Sequence, residues 1–448
     1  MHVVVSRSKS MVAIWLAALG ACTGYSAGRP PVVAPTPAVT AAKPVPPAQT
    51  TAMRQRRAGH DVNGDGFADV VAGTQLMLGA RDGLSATRVI PLAPPGPPRP
   101  ILFMGAALAG DVDGDGFADV LIGDPACPPF ATDKPLCGVG HIHLYRGSRT
   151  GLASQPTISL EAPGGENTDF GMLMSAAGDL NGDGFSDVVV HESTVVDHVY
   201  YGGSAGLLPS AHAVLQADAS NTVRSPASPA GDVDRDGYDD VVVTAAGRVL
   251  VFHGSPHGLE TTARSAFEPS GVQAWTGLAT TAGDFNADGF SDIAIGVPES
   301  GPSKDGAPGP GRVVVHHGGP RGISAVPAGI LESHEPPRAG FGVFLASVGD
   351  LDDDGSDDLV VVAPCAIFDA SKSSCEMGRA YLYLGGPKGL GSTPVAQVSP
   401  VRKSFWIGGN ALIPAGDVDA DGHSDFMFGA YLFRGASGGV ISLDPPSL

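Results

Sequence analysis

The sequence predicts an all-β chain, a seven-bladed β-propeller with four-stranded antiparallel blades and calcium loops in the A–B hairpins. Three observations predict it. A nine-residue acidic pattern occurs seven times, an apolar run rich in β-branched residues follows each copy, and a Gly-x-x-x-Gly signature stands farther on in each repeat.

The acidic pattern is Asp-x-Asx-x-Asp-Gly-x-x-Asp. Its copies start at Asp61, Asp111, Asp179, Asp232, Asp284, Asp350 and Asp417, at intervals of 50 to 68 residues. Such a period marks a repeat architecture in which each unit is one supersecondary element. The runs that follow, such as Val188 to Val190, Val241 to Val243 and Ile293 to Ile295, have strand length and β-branched composition.

The glycine pairs are Gly79/Gly83, Gly147/Gly151, Gly202/Gly206, Gly254/Gly258, Gly318/Gly322, Gly385/Gly389 and Gly435/Gly439. They suit a hairpin turn that needs positive φ. Beyond most of them lies one more β-like stretch, for example Thr157 to Leu160 or Val395 to Val398. With the segment before each acidic loop, often ending Ala-Gly-Asp, this gives four strands, A to D, with the loop joining A to B. A lone sheet of this kind exposes an apolar face, and closing a ring of seven buries it. Arg54 to Arg57 make a poor strand A for the first repeat, which leaves open how the ring closes.

Alternating Asp or Asn at positions 1, 3 and 5 turns hard oxygen donors inward, and glycine at position 6 permits the sharp turn; oxygen-rich loops of this kind favour Ca2+. The carbonyl of position 7 and the carboxylate of position 9 complete the set. The expected ligands are Asp61, Asn63, Asp65, Phe67 and Asp69; Asp111, Asp113, Asp115, Phe117 and Asp119; Asp179, Asn181, Asp183, Phe185 and Asp187; Asp232, Asp234, Asp236, Tyr238 and Asp240; Asp284, Asn286, Asp288, Phe290 and Asp292; Asp350, Asp352, Asp354, Ser356 and Asp358; and Asp417, Asp419, Asp421, His423 and Asp425. An EF-hand would need glutamate at position 12, where Ala72, Ile122, Val190, Val243, Ile295, Val361 and Phe428 stand instead.

Carboxylates crowded into a hairpin resist tight folding unless a cation neutralises them. One such loop alone could be a solvated Asp/Gly turn, a reading that seven in-register copies argue against. The chain carries a net charge of −19, and up to seven Ca2+ ions would bring it to about −5. Site affinities on the order of 10⁻⁴ to 10⁻³ M are expected for extracellular modules. The acidity and the lack of clustered Lys and Arg exclude nucleic acid as a partner.

The N-terminus carries Arg7 and Lys9, an apolar run from Met11 to Leu19, and then Leu19-Gly20-Ala21-Cys22. This reads as a secretion signal too short to span a bilayer, and its last tetrad resembles a bacterial lipobox. The resemblance implies cleavage before Cys22 and acylation of that cysteine; ordinary signal cleavage nearby is the alternative. Residues 1–21 are thus the signal peptide, 22–53 a Pro/Ala-rich tether, and 54–448 the propeller. Thr23 after the lipidated cysteine favours the outer membrane of a Gram-negative cell, and the membrane is met only through the anchor. Cys127/Cys137 and Cys365/Cys375 are pairs separated by ten residues. In an oxidising compartment they would form local disulfides, the alternative being a four-thiolate metal site.

These residues resemble FG-GAP repeat proteins, and over about residues 54 to 448 the chain is similar to the N-terminal propeller of integrin α subunits. The Phe-Gly element stands at Phe170-Gly171 and Phe341-Gly342, with Trp275 at the same offset. The Gly-x-Pro element stands at Gly123-Asp-Pro125 and Gly296-Val-Pro298, and in weaker form at Val362-Ala-Pro364. The resemblance implies seven blades, calcium in the A–B hairpins of the lower face and ligand binding on the upper face. It departs from integrins in having all seven loops complete. No later integrin domain or membrane span is legible after the last repeat, so adhesion is the function carried over and signalling is not.

Repeats 2, 5 and 6 carry insertions between strands B and C, at residues 124 to 140, 297 to 312 and 363 to 379. Adjacent connections exit on opposite faces, so the insertions should lie away from the calcium loops. They are expected either to shape a surface for a protein or glycan partner of a monomeric propeller, or to be insertions stapled only against proteolysis. A catalytic role is not expected. Gly202 to Gly206 and Gly435 to Gly439 match a Gly-x-Ser-x-Gly elbow, but sister repeats place Arg or Pro at the serine position. His141/His143 and His316/His317 read as ordinary strand histidines. The aromatic positions Phe103, Phe170, Trp275, Phe341 and Trp406 could form a sugar platform but fit packing between blades better. A carbohydrate-active or lectin-like propeller is the alternative function, and a scaffold subunit a second.

Overall fold

The computed structural model describes residues 60–96, 105–125, 138–166, 169–193, 196–210, 213–216, 225–245, 247–268, 280–298, 309–337, 339–369, 374–398, 412–429, 431–437 and 442–444. These form seven antiparallel sheets whose strands follow one another in chain order. Blade 1 has three described strands, β1 (Val70–Ala72), β2 (Gln75–Met77) and β3 (Val89–Pro91), with a short 3-10 turn, Ala86–Arg88, before β3. The other six have four each. Blade 2 is β4 (Ala106–Gly110), β5 (Asp119–Asp124), β6 (Val139–Tyr145) and β7 (Ile158–Glu166). Blade 3 is β8 (Met174–Gly178), β9 (Asp187–Ser193), β10 (Val196–Tyr200) and β11 (Ala213–Gln216). Blade 4 is β12 (Ser228–Gly231), β13 (Asp240–Ala245), β14 (Arg248–Phe252) and β15 (Ser265–Phe267). Blade 5 is β16 (Thr280–Gly283), β17 (Asp292–Val297), β18 (Arg312–His316) and β19 (Gly329–Glu332). Blade 6 is β20 (Phe344–Gly349), β21 (Asp358–Asp369), β22 (Ser374–Tyr383) and β23 (Ala396–Val398). Blade 7 is β24 (Leu412–Gly416), β25 (Asp425–Phe428), β26 (Tyr431–Arg434) and β27 (Ser442–Asp444).

The core lies between blades. In β5, Val120 and Ile122 pack with Leu76 of blade 1, whereas Leu121 packs with Phe170 and Val188 of blade 3. Successive side chains of a strand point to opposite faces, so a strand with a neighbour on each side must be apolar throughout. This explains the unbroken runs after the acidic loops. The last interface closes the circle, because Ala68, Val70 and Met77 pack against Ala415, Val418, Met427 and Leu432 of blade 7.

The Phe-Gly and Gly-x-Pro elements lock neighbouring blades together. A Cβ on Gly123 would lie 1.7 Å from the carbonyl oxygen of Gly171, and one on Gly296 would lie 1.8 Å from that of Gly342. Phe170 is buried with Leu121 and Ile142 of blade 2, and Phe341 with Ala294 and Val313 of blade 5, so at these two positions the aromatics serve packing between blades. Phe103, Trp275 and Trp406 lie outside the described residues, as do strand A of blade 1, the signal and tether segments with Cys22, and Cys127 and Cys137.

Where both are described, the two glycines of a hairpin signature do different work, and only the second meets the expectation of positive φ. The second has φ of +82° at Gly83 and +93° at Gly151. The first is not in that region and is needed for close approach. A Cβ on Gly147 would stand 2.3 Å from the carbonyl oxygen of Ala118 in its own blade and 2.7 Å from that of Val62 in the preceding one.

Candidate metal centres

Each acidic loop folds on its own carboxylates. Asp61 Oδ1 accepts from the amide of Gly64 at 2.6 Å, and its Oδ2 from that of Gly66 at 2.8 Å. Asn63 Oδ1 accepts from Asp65 N at 2.9 Å, and Asp65 Oδ1 from Phe67 N at 3.1 Å. The same bonds recur from Asp111, Asp113 and Asp115 in the second loop, and the scheme returns around the ring. Position 4 is always left-handed. It is Gly64, Gly114 and Gly182 in three loops, and Arg235, Ala287, Asp353 and Ala420 in the others, which are all the non-glycine residues with positive φ among the described residues.

The carboxylates at position 9 are the deepest. Asp69, Asp119, Asp187, Asp240, Asp292, Asp358 and Asp425 are each 0% exposed. Asp119 Oδ2 accepts from the amide of Val112 at 3.1 Å and its Oδ1 from that of Gly147 at 2.9 Å. The acid thus ties its loop to the next hairpin. Burial pushes these carboxyls up to about 7 at Asp69, Asp119, Asp187 and Asp292. At Asp240, Asp358 and Asp425 it pushes them up to about 8, with the neighbouring loop carboxylates adding to the shift and the two amide bonds opposing it.

The loops are linked to one another. The amide of position 8 donates to the position 1 carbonyl of the preceding loop: Ala118 to Asp61, Ser186 to Asp111, Asp239 to Asp179, Ser291 to Asp232, Asp357 to Asp284, Ser424 to Asp350 and Ala68 to Asp417, at 2.8–3.0 Å.

Where position 3 is aspartate, carboxylate oxygens converge. Ligand atoms of Asp111, Asp113 and Asp115, of Asp232, Asp234 and Asp236, of Asp350, Asp352 and Asp358, and of Asp417, Asp419 and Asp425 lie within 4.8 Å of one another. In the third and fifth loops Asn181 and Asn286 instead donate through Nδ2 to Asp183 and Asp288, at 2.9 Å. Oδ1 of Asp234 and Oδ1 of Asp352 are buried with no hydrogen-bond partner. Converging hard oxygens, two of them buried and unsatisfied, fit a divalent cation that prefers oxygen.

The loops also differ in a way the sequence reading missed. In four of the repeats the residue before the first hairpin glycine faces position 3 of its own loop. It is Arg146, whose Nε lies 2.7 Å from Asp113, and Arg434, whose Nη1 lies 2.8 Å from Asp419. It is His253 beside Asp234 and His317 beside Asn286, but Leu78, Tyr201 and Leu384 in the other three repeats. The signal was present as a fixed offset from Gly147, Gly254 and Gly435.

The remaining sequence candidates have ordinary places. His141 and His143 stack on one face of β6, and His143 Nδ1 lies 2.8 Å from Ser159 Oγ. His316 ends β18, buried, with Nδ1 2.8 Å from the carbonyl oxygen of Ser324.

The insertion of repeat 6 is not a free loop. It lengthens β21 and β22 into strands of 12 and 10 residues, and the buried Cys365 within it is disulfide-bonded. Cys375 stands near the start of β22, and the ladder sets its Cα opposite Phe368 rather than opposite Cys365, past register shifts on either side of Ile367. The ten-residue spacing alone suggested a simple closed loop between the two cysteines, whereas strand pairing continues into the insertion and offsets them. The expected Cys365–Cys375 bridge involves the side chain of Cys375, which lies outside the described ones.

A family model described as FG-GAP-like repeat matches residues 232–295, and one described as FG-GAP repeat matches residues 276–316. The chain is 33% identical to mouse integrin alpha-IIb over 149 residues, 30% of this chain and 14% of that protein. It is 30% identical to Xenopus laevis integrin alpha-5 over 217 residues, 45% of this chain and 19% of that protein. The matches therefore span less than a fifth of the length of these relatives. Among solved structures, BBS1N in complex with ARL6DN aligns over 87% of this chain and 94% of that one, with a TM-score of 0.46 and 11% identity.

Proposed function

We propose that this chain, a seven-bladed propeller carrying FG-GAP repeats, is a calcium-dependent binding and adhesion module that does no catalysis and is held at the cell surface by a lipidated Cys22. The observation that carries the proposal is the circle of acidic loops bonded one to the next, with a fully buried carboxylate in each. Up to seven Ca2+ ions would be held by the residues at positions 1, 3, 5, 7 and 9 of the loops, supplying the positive charge that the crowded carboxylates call for. Residues 54–448 act as one monomeric unit on a 22–53 tether, at the outer membrane.

The partner, a protein or a glycan, engages the face opposite the loops. The similarity to integrin alpha subunits supports a protein. The long β21–β22 hairpin, stapled by a Cys365–Cys375 bridge, supports a rigid projection there, since an ordered loop loses less entropy on binding. The test is binding of the mature protein to arrays of matrix proteins and of glycans, in Ca2+ and in EGTA. Saturable binding in Ca2+ that EGTA abolishes, and that weakens when 363 to 379 is replaced by a short turn, is expected. No binding to either array by calcium-loaded protein contradicts the proposal.

A further inference from the structure

We propose that the fourth acidic loop is a mixed imidazole and carboxylate site for a borderline divalent cation of the Zn2+ class, with His253, Asp234 and Asp240 as ligands. The inference rests on the reading that the loops hold divalent cations, and it gives this loop a different metal preference from the loops with no imidazole at this place. In the fifth loop His317 holds the place but sets its Nδ1 beside the Asn286 amide, at 3.2 Å, instead of a carboxylate.

His253 follows β14 and precedes the hairpin glycine Gly254. Its ring is 1% exposed, and neither ring nitrogen makes a hydrogen bond. Nδ1 nevertheless points into the carboxylates, 3.1 Å from Asp234 Oδ2 and 3.5 Å from Asp240 Oδ1. A buried imidazole with no hydrogen-bond partner is expensive, and here it stands beside the buried, partnerless Asp234 Oδ1. Zinc binds nitrogen and oxygen at about 2.1 Å, which sets adjacent ligand atoms about 3.0 to 3.4 Å apart. The 3.1 Å separation has that size, and the 3.5 Å one is slightly longer.

The sister repeats sharpen the point. Arg146 and Arg434 occupy the place of His253 and pair directly with the position 3 aspartate. A guanidinium is a permanent cation with no free lone pair, so it cannot ligate a metal, whereas an imidazole nitrogen can. Imidazole suits zinc, nickel and copper, whereas calcium takes oxygen. The nearby Arg264 is 3.7 Å from Asp234 Oδ2 but is turned to Glu260 through Nε, at 3.2 Å, and through Nη2. Nε2 of His253 faces Gly322 of blade 5, where a Cβ would lie 3.3 Å away. The ring therefore sits in a slot left by a glycine.

The test uses mature protein saturated with Ca2+ and titrated with Co2+ as a spectroscopic substitute, with Zn2+ as competitor. One equivalent should bind with the absorption of a nitrogen-ligated ion and be displaced by Zn2+. His253→Leu should lower Co2+ affinity at least about tenfold. Leucine is a fair replacement because Leu78 and Leu384 hold the same place in sister repeats. Equal Co2+ affinity in the two proteins, or no Co2+ uptake in excess Ca2+, would overturn the site. Melting curves with and without Ca2+ are recorded on the same samples. A calcium shift preserved alongside His253-independent Co2+ binding refutes this inference alone, whereas loss of the shift in both proteins counts against the calcium loops themselves.

Discussion

The amide of Ala68, in the first acidic loop, donates to the carbonyl of Asp417, in the last, across 2.9 Å. The two residues lie at opposite ends of the repeat array, yet their bond repeats the one joining Ala118 to Asp61 and Ser424 to Asp350. The ring is thus closed by the same backbone contact that spaces the blades. Position 1 of each loop offers its side chain to its own amides and its carbonyl to its neighbour.

The two glycines of one turn should respond differently to substitution. Gly147→Ala forces a methyl against the carbonyl oxygens of Ala118 and Val62 and is expected to destabilise by about 3 kcal/mol or more. At Gly151 a Cβ meets nothing within 4 Å, so Gly151→Ala should lose only about 1 kcal/mol through its positive φ. Denaturant unfolding of the two variants measures the difference, and equal losses would refute the close-approach account.

Position 4 offers the opposite experiment. Ala287 has a φ of +58°, and the left-handed region disfavours a residue with a Cβ by about 1–2 kcal/mol. Ala287→Gly should therefore raise stability by about 0.5–1 kcal/mol once the added freedom of the unfolded chain is subtracted. A lower denaturation midpoint would show that the loop draws no strain from this residue.

Without metal, stability should fall as pH rises. The position 9 carboxyls stand at about 7 to 8 in the folded protein against an ordinary 3.8. The native state then binds more protons than the unfolded chain, so stability present below about pH 4 is lost as pH climbs toward 8. In chelator, the melting temperature should be higher at pH 5 than at pH 8. Calcium should reverse that order, because it binds the ionised loops. A metal-free protein that gains stability between pH 5 and 8 would contradict the burial of these acids.

Much of this architecture was legible because its signals are local. The acidic loop, the apolar run after Asp187 or Asp292 and the second hairpin glycine with positive φ each report on a few neighbouring residues. What stayed hidden depends on a partner from another hairpin or another blade. The first hairpin glycine looks like any turn glycine until Ala118 of its own acidic loop and Val62 of the neighbouring one are set beside Gly147. Ring closure was obscure because Arg54 to Arg57 resemble no strand, whereas the closing bond comes from Ala68. The spacing of Cys365 and Cys375 said nothing of the strand pairing that runs between them. The acidic loops share one sequence pattern, and only the hairpin behind them brings Arg146, His253 or Arg434 to position 3.

The most direct test of the whole account is a pair of thermal unfolding curves for the mature protein, one in excess Ca2+ and one in EGTA, at pH 8. Each loop filled at a hundred times its dissociation constant adds about 2.7 kcal/mol, so removing calcium should lower the Tm by on the order of 10 °C or more. Coincident curves would contradict the claim that cations hold the carboxylate loops of the ring together.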